Sequence, residues 1–201
     1  EKTKNYPLIF CVFISLSLII VTPSCKNETA KNKNSSTPTT QSTTPSFNSD
    51  KFFDAALNGD LKYVHKSISD GTPVDISDSD GHTALMLAAY NGHHDLVKFL
   101  IKKGANVNHT NSSNRTALMY ASSGPFLTTI TVLLEAGANI NAIDNIEHFT
   151  ALMFAASEGL NENVQLLLDK GADKTMVDID GDNAYNFALA NGHVTTVELL
   201  K

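Results

Sequence analysis

Thr83-Ala84-Leu85-Met86 returns as Thr116-Ala117-Leu118-Met119 and again as Thr150-Ala151-Leu152-Met153, the first residues standing 33 and then 34 positions apart. A second block keeps the same beat: Lys103-Gly104-Ala105-Asn106, Ala136-Gly137-Ala138-Asn139 and Lys170-Gly171-Ala172-Asp173. Periods of this length mark stacked supersecondary units, none of which can bury its apolar face alone. Such a stack builds an extended surface rather than a catalytic pocket.

Each unit reads as two helices. Thr83, Thr116 and Thr150 stand where a hydroxyl caps a first helix. Leu85, Ala88 and Ala89 recur at helical spacing, and the alanines permit close approach of neighbouring helices. Asn91-Gly92 supplies the turn, and Leu96, Val97 and Leu100 line a second helix. Gly104, Gly137 and Gly171 fall just past its end, where a left-handed residue stops a helix cheaply. The Asn- and Asp-rich runs between units then form β-turn fingers on one side.

The first full unit carries a clear resemblance. It reads Asp80-Gly81-His82-Thr83-Ala84-Leu85-Met86, Ala88-Ala89-Tyr90-Asn91-Gly92-His93, Leu96-Val97 and Gly104-Ala105-Asn106-Val107-Asn108. This resembles the ankyrin-repeat pattern D-x-x-G-x-T-P-L-H-x-A-A-x-x-G-H, then V-V-x-x-L-L, then G-A-D-V-N. The resemblance covers residues 50–201 and implies an all-α ankyrin-repeat solenoid. Its expected parts are an N-terminal capping unit at 50–77, full repeats at 78–110, 111–143 and 144–177, and a C-terminal capping unit at 178–201. Terminal units should show polar outer faces, supplied by Lys51, Asp54, Lys62 and Lys66 at one end and Thr195, Thr196 and Glu198 at the other.

Departures from the pattern are as informative as matches. Asn114 and His148 replace the finger glycine; Asn tolerates the left-handed region better than His. One extra residue lies within Asp144–Phe149, so that finger must bulge. Gly124-Pro125 replaces the usual interhelical turn, with Pro125 placed to start the second helix. Met86, Met119 and Met153 stand where the family has His and are expected to fill core gaps.

Ahead of the repeats the composition changes twice. Asn5 to Cys25 carries no charge, and Lys2 and Lys4 precede the apolar run Leu8–Val21. As a helix that run reaches roughly 21 Å, short of a hydrocarbon core of about 30 Å. Its length suits the core of an export signal, expected at 1–24. Val21-Thr22-Pro23-Ser24-Cys25 resembles the lipobox of bacterial lipoproteins. Ser24 and Cys25 fit it, whereas Thr22 and Pro23 depart from it. The resemblance implies lipidation of Cys25, with Lys26 in place of Asp tilting the sorting towards the outer membrane. An ordinary cleaved signal and an uncleaved apolar anchor stay open beside it. Residues 25–49 then form a Ser-, Thr-, Asn- and Lys-rich tether with too little apolar surface to fold.

The charge is −6 overall, and residues 49–201 set 10 Lys plus Arg against 19 Asp plus Glu. So acidic a domain repels phosphate backbones, which excludes nucleic acid as an expected partner. The cysteines are Cys11 and Cys25, so the repeats hold neither disulfide nor thiol nucleophile. His93 and His193 match the family's Gly-His turn, and the remaining histidines lack the tight spacing of a metal site. Asp75, Asp78 and Asp80-Gly81, like Asp178 and Asp180-Gly181-Asp182, resemble calcium loops but lack the closing Glu. They read better as fingers. With no nucleophile-elbow, Walker, dinucleotide or zinc-protease motif, the sequence supports no enzyme, cofactor or metal.

What remains is surface. The resemblance implies that a protein partner is bound by finger tips and the concave short-helix face. By position these are Asp80, His82, Tyr90, Asn91, Ser113, Arg115, Ile143, Ile146, Phe149, Ser157, Glu158, Ile179 and Asp182. Ile143, Ile146 and Phe149 are expected to form an exposed apolar trio with Phe149 as its anchor, unless the inserted residue tucks one or two of them inward. The expectation is therefore a monomeric, non-catalytic interaction module, exported, tied to the membrane through lipid on Cys25, and facing the periplasm or the cell surface. The alternative is a surface-exposed or secreted factor acting on proteins of a host or neighbouring cell.

Overall fold

The computed structural model describes residues 47–201, and the expected signal at 1–24, Cys25 and most of the expected tether lie outside them. The described part is one compact unit, Phe47–Lys201, of ten helices in five antiparallel pairs. The pairs are α1 (Ser49–Leu57) with α2 (Leu61–Ser69), α3 (Ala84–Tyr90) with α4 (His94–Lys102), and α5 (Ala117–Ser122) with α6 (Leu127–Glu135). They continue with α7 (Ala151–Ser157) beside α8 (Asn161–Asp169) and α9 (Ala184–Ala190) beside α10 (Val194–Leu200). The odd-numbered helices stack in one layer and the even-numbered in a second, each touching the next of its kind. No strand occurs among the described residues; a lone bridge joins Ser77 and Thr83 at the base of the first finger. This is an all-α repeat solenoid.

Local chemistry explains the helices. Thr83, Thr116 and Thr150 accept the backbone N–H of Met86, Met119 and Met153 at the three N-caps. Asn183 takes the same place in the last unit, and Asn186 returns the bond to the Asn183 N–H. Each such cap stabilises its short helix by ~1 kcal/mol. Inner helices pack on both sides, so α3 buries every residue from Ala84 to Ala89. Outer helices are amphipathic: α4 buries Leu96, Val97 and Leu100. Each of those three contributes roughly 1.5–3 kcal/mol by leaving water. Met86, Met119 and Met153 are buried core residues.

The seams between units depend on the interhelical turns. Asn91 Nδ2 and His93 Nε2 both reach the Leu57 carbonyl, and Asn191 and His193 repeat this on Ser157. Carbonyl oxygens only accept, so each imidazole carries its proton on Nε2. The third unit solves the seam differently. Pro125 occupies the place of Gly92, whose φ is +71°, a value closed to proline. Here the turn is rerouted. α6 begins at Leu127 and Phe126 occupies the cap position, so Pro125 lies in the turn rather than at the helix start. Phe126 packs its ring against Gly92, and Asn163, buried in α8, donates to the Gly124 carbonyl at 2.7 Å.

The ends differ from expectation in two respects. The folded unit starts ahead of residue 50: Asn48 caps α1 by accepting the Lys51 N–H, and Phe47 packs on Phe52. At the other end Thr196 is buried, its hydroxyl donating to Asn161 at 2.7 Å. Thr195 and Glu198 are exposed as expected, and Leu189 and Val194 are exposed beside them, at 56% and 72%.

Candidate interaction surface

Each finger is folded around one Asx side chain. Asp78 Oδ1 accepts the backbone N–H of Asp80 and of His82, while the Asp78 N–H donates to the His82 carbonyl. Asn111 does the same with Ser113 and Arg115, and Asp178 with Asp180 and Asp182. These side chains thus satisfy backbone donors that a tight loop would otherwise leave open. That is the role of the acidic strings.

Asp144 nucleates the longer finger. Its Oδ1 accepts three N–H groups, from Ile146, Glu147 and Phe149. One more residue separates Asp144 from Thr150 than separates Asp78 from Thr83. The left-handed position falls to His148 at φ 60°, as it falls to Asn114 at φ 58° in the finger before.

Neighbouring fingers are tied tip to tip. Ser112 N donates to Asp80 O, Asn145 N to Ser113 O and Ile179 N to Glu147 O, at 3.0–3.1 Å. In this ladder Glu147, not Ile146, takes the place of Asp80 and Ser113. Ile146 is therefore the inserted residue, and the bulge holds its side chain 50% exposed. Ile179, hydrogen-bonded beside it, is 56% exposed, and Val177 follows at 48%.

A second ladder crosses the inner helices. The residue before each N-cap packs on the ring four positions after the N-cap of the following unit. His82 meets Tyr120 at 5.8 Å, the Arg115 guanidinium lies 5.2 Å over Phe154, and Phe149 lies 4.8 Å from Phe187. Polar bonds lock the first two rungs. His82 Nδ1 donates to Asp78 Oδ2 at 3.1 Å, and Nε2 lies 3.0 Å from the Tyr120 hydroxyl, which also accepts from Asn111 Nδ2. Burial raises the Tyr120 phenol above its ordinary value, partly offset by the nearby Arg115 charge and the Asn111 bond. Arg115 Nε donates to Asp144 Oδ2 at 3.0 Å, with the Asp144 side chain fully buried.

A family model of ankyrin repeats, in three copies, matches residues 52–144 and 129–201. The chain belongs to the ankyrin-repeat family. Ankyrin repeats generally serve as non-enzymatic scaffolds for protein–protein interaction. No curated protein matches this chain.

On the ankyrin frame the predicted site residues separate into two groups. Asp80, Asn91, Ile146, Glu158 and Ile179 are exposed. Asn91 also ties its seam to the Leu57 carbonyl, and the others are held in the scaffold. Phe149 is 3% exposed, wedged between Phe154 and Phe187, so it is a core residue and not the anchor of an apolar trio. Ile143 is half-buried and precedes the finger, lining a shallow depression of about 330 Å³ with Asn108, Asn114 and Asn139. Ser157 is buried under Asn191 and His193. His82 and Arg115 belong to the ring ladder. Tyr90 is half-buried and edge-on to Tyr120, while the Ser113 and Asp182 carbonyls bond Asn145 and Asp178. Sequence reading passed over Val177, Leu189 and Val194. Val177 alternates with Ile179 in Val177-Asp178-Ile179, a signal that was available. Leu189 stands where the earlier units have Ala89, Ser122 and Ala156, buried beneath a following inner helix.

Proposed function

We infer that this chain is an exported, lipid-anchored ankyrin protein that binds another protein through its row of finger tips and catalyses nothing. The observation that carries the binding half is the tip ladder. It fixes the fingers in register at no cost to their outward side chains, and it leaves Ile146 and Ile179 in water. Holding large apolar groups on a rigid, pre-ordered edge favours association, because little conformational freedom is lost on docking. The anchoring half is supported by the apolar run Leu8–Val21, by Cys25 at its polar boundary, and by the tether that follows. Several acyl chains together would give durable attachment, whereas one alone binds reversibly.

Two experiments test these halves separately. A photo-crosslinking residue is introduced one position at a time at exposed sites of the full chain in cells: Asp80, Asn91, Ile146, Glu158, Ile179 and, on outer helices, Lys98 and Lys102. Discrete protein adducts from finger positions are expected. Absence of adducts from every position overturns the interaction reading. Labelled palmitate should enter the wild type and not Cys25→Ser, which should leave the membrane fraction; unlabelled wild type still in that fraction overturns lipidation. Protease added to intact cells then separates an inward-facing domain, which survives, from a surface-exposed one.

A further inference from the structure

The third and fourth fingers differ from the first two in both chemistry and geometry. Single exposed apolar side chains are ordinary on a protein surface. Ile146 and Ile179 stand on adjacent tips joined by the backbone bond from Ile179 to Glu147, and Val177 is exposed two residues before Ile179. Ile146 is, moreover, the residue the ladder does not require. Its bulge gives the finger an extra part-buried N–H that Asp144 satisfies, yet its side chain is not part of the core.

The charged residues within these two fingers are all acidic. Glu147 and Asp180 flank the two isoleucines, with Asp182 one step further on. Helices α7 and α9 behind them contain no charged residue. The two fingers contain no Lys or Arg, and Arg115 of the preceding finger is held by the buried Asp144. A negative rim around an apolar centre repels nucleic acid and anionic lipid headgroups alike. It attracts cations and steers their approach.

Resting on the interaction reading above, we propose that the tips of the third and fourth fingers are a docking surface for a basic protein segment. Apolar side chains of that segment cover Ile146 and Ile179, and its Lys or Arg groups pair with Glu147 and Asp180. Affinity then concentrates in the isoleucines, while the carboxylates set approach rate, partner choice and salt dependence.

The probe is a phage-displayed library of random peptides about a dozen residues long, selected on the immobilised full chain at low salt. Selected sequences should carry net positive charge and at least one large apolar residue. Binding of the purified peptides should weaken ~10-fold in Ile146→Ser/Ile179→Ser. It should weaken in Glu147→Gln/Asp180→Asn as well, with a flatter dependence on salt. Ile146, Ile179 and Asp180 are exposed and Glu147 is half-buried, and thermal melting of both variants should stay close to wild type. Selection of acidic or neutral sequences overturns the proposal, as does unchanged binding by the isoleucine variant. Should crosslinked adducts form at Asn91 or Glu158 while the finger variants bind normally, this surface is wrong and the interaction reading stands.

Discussion

Arg115 Nε and Asp144 Oδ2 lie 3.0 Å apart, in a pair whose aspartate side chain is wholly buried and whose arginine side chain is 13% exposed. The bond ties the second finger to the third. It also places Asp144 under two demands, since its other oxygen holds three backbone N–H groups of its own loop. Removing one partner of a buried pair leaves the other uncompensated. Asp144→Ala should therefore cost ~3–5 kcal/mol, seen as a lowered urea midpoint. Arg115→Ala should cost less, about 1–3 kcal/mol, because the remaining carboxylate keeps its three N–H donors. Equal losses in the two variants would show that the loop bonds contribute nothing.

Phe149 and Ile146 make the opposite contrast within the same finger. Phe149 is packed 5.4 Å from Phe154 and 4.8 Å from Phe187. Phe149→Ala should lose ~3–5 kcal/mol through the cavity left behind. Ile146→Ala, half exposed, should stay within about 0.5 kcal/mol of wild type. Thermal melting of the two variants side by side is the check, and a small loss at Phe149 would return it to the surface.

That contrast shows where reading the sequence succeeds and where it stops. Thr83, Thr116 and Thr150 act within their own helix turn, so their caps, and with them the stacked helical pairs, are legible from spacing. So are Gly104, Gly137 and Gly171, which answer to the chain's own backbone. Phe149 answers to Phe187, a unit further on, and nothing local says whether a residue before the cap points out or across. The inserted residue could be confined to Asp144–Phe149 but not identified as Ile146, because only the bond from Ile179 to Glu147 sets the register of the fingers. The diagonal rule was nevertheless present. Tyr120, Phe154 and Phe187 recur at one position, and aromatic residues kept in phase through an inner face imply something stacked on them. Thr196 was unreadable for a similar reason: its hydroxyl is matched by Asn161 in the preceding outer helix.

Gly92 should be intolerant of any side chain. A Cβ there would lie 2.2 Å from the Phe126 ring, and the backbone φ is +71°. Gly92→Ala meets both penalties, each on the order of 1–3 kcal/mol. Adding Phe126→Leu should relieve the steric part only. The double variant is thus expected to recover some of the lost melting temperature relative to Gly92→Ala, and no recovery would mean that backbone strain alone governs the site.

Tyr120 gives the fold a sensitivity to alkali. Its phenol is raised chiefly by burial, so the folded state binds that proton more tightly than the unfolded chain does. For a raised group, the associated stability is fully present below the ordinary phenol value of about 10 and is lost as pH climbs through the folded value. Ionised Tyr120 would also sit against Asp78, whose charge opposes it, while Arg115 moderates the effect. Tyr120→Phe removes the hydroxyl that His82 and Asn111 share, so at neutral pH the variant should be less stable by about 1 kcal/mol. Above pH ~10 the wild type should lose stability faster, and the difference between the two proteins should shrink. Urea midpoints measured from neutral pH to well above the phenol range read this directly. The other tyrosines cancel in the comparison, so a difference that stays constant with pH would place the Tyr120 hydroxyl in water rather than in the buried rung with His82.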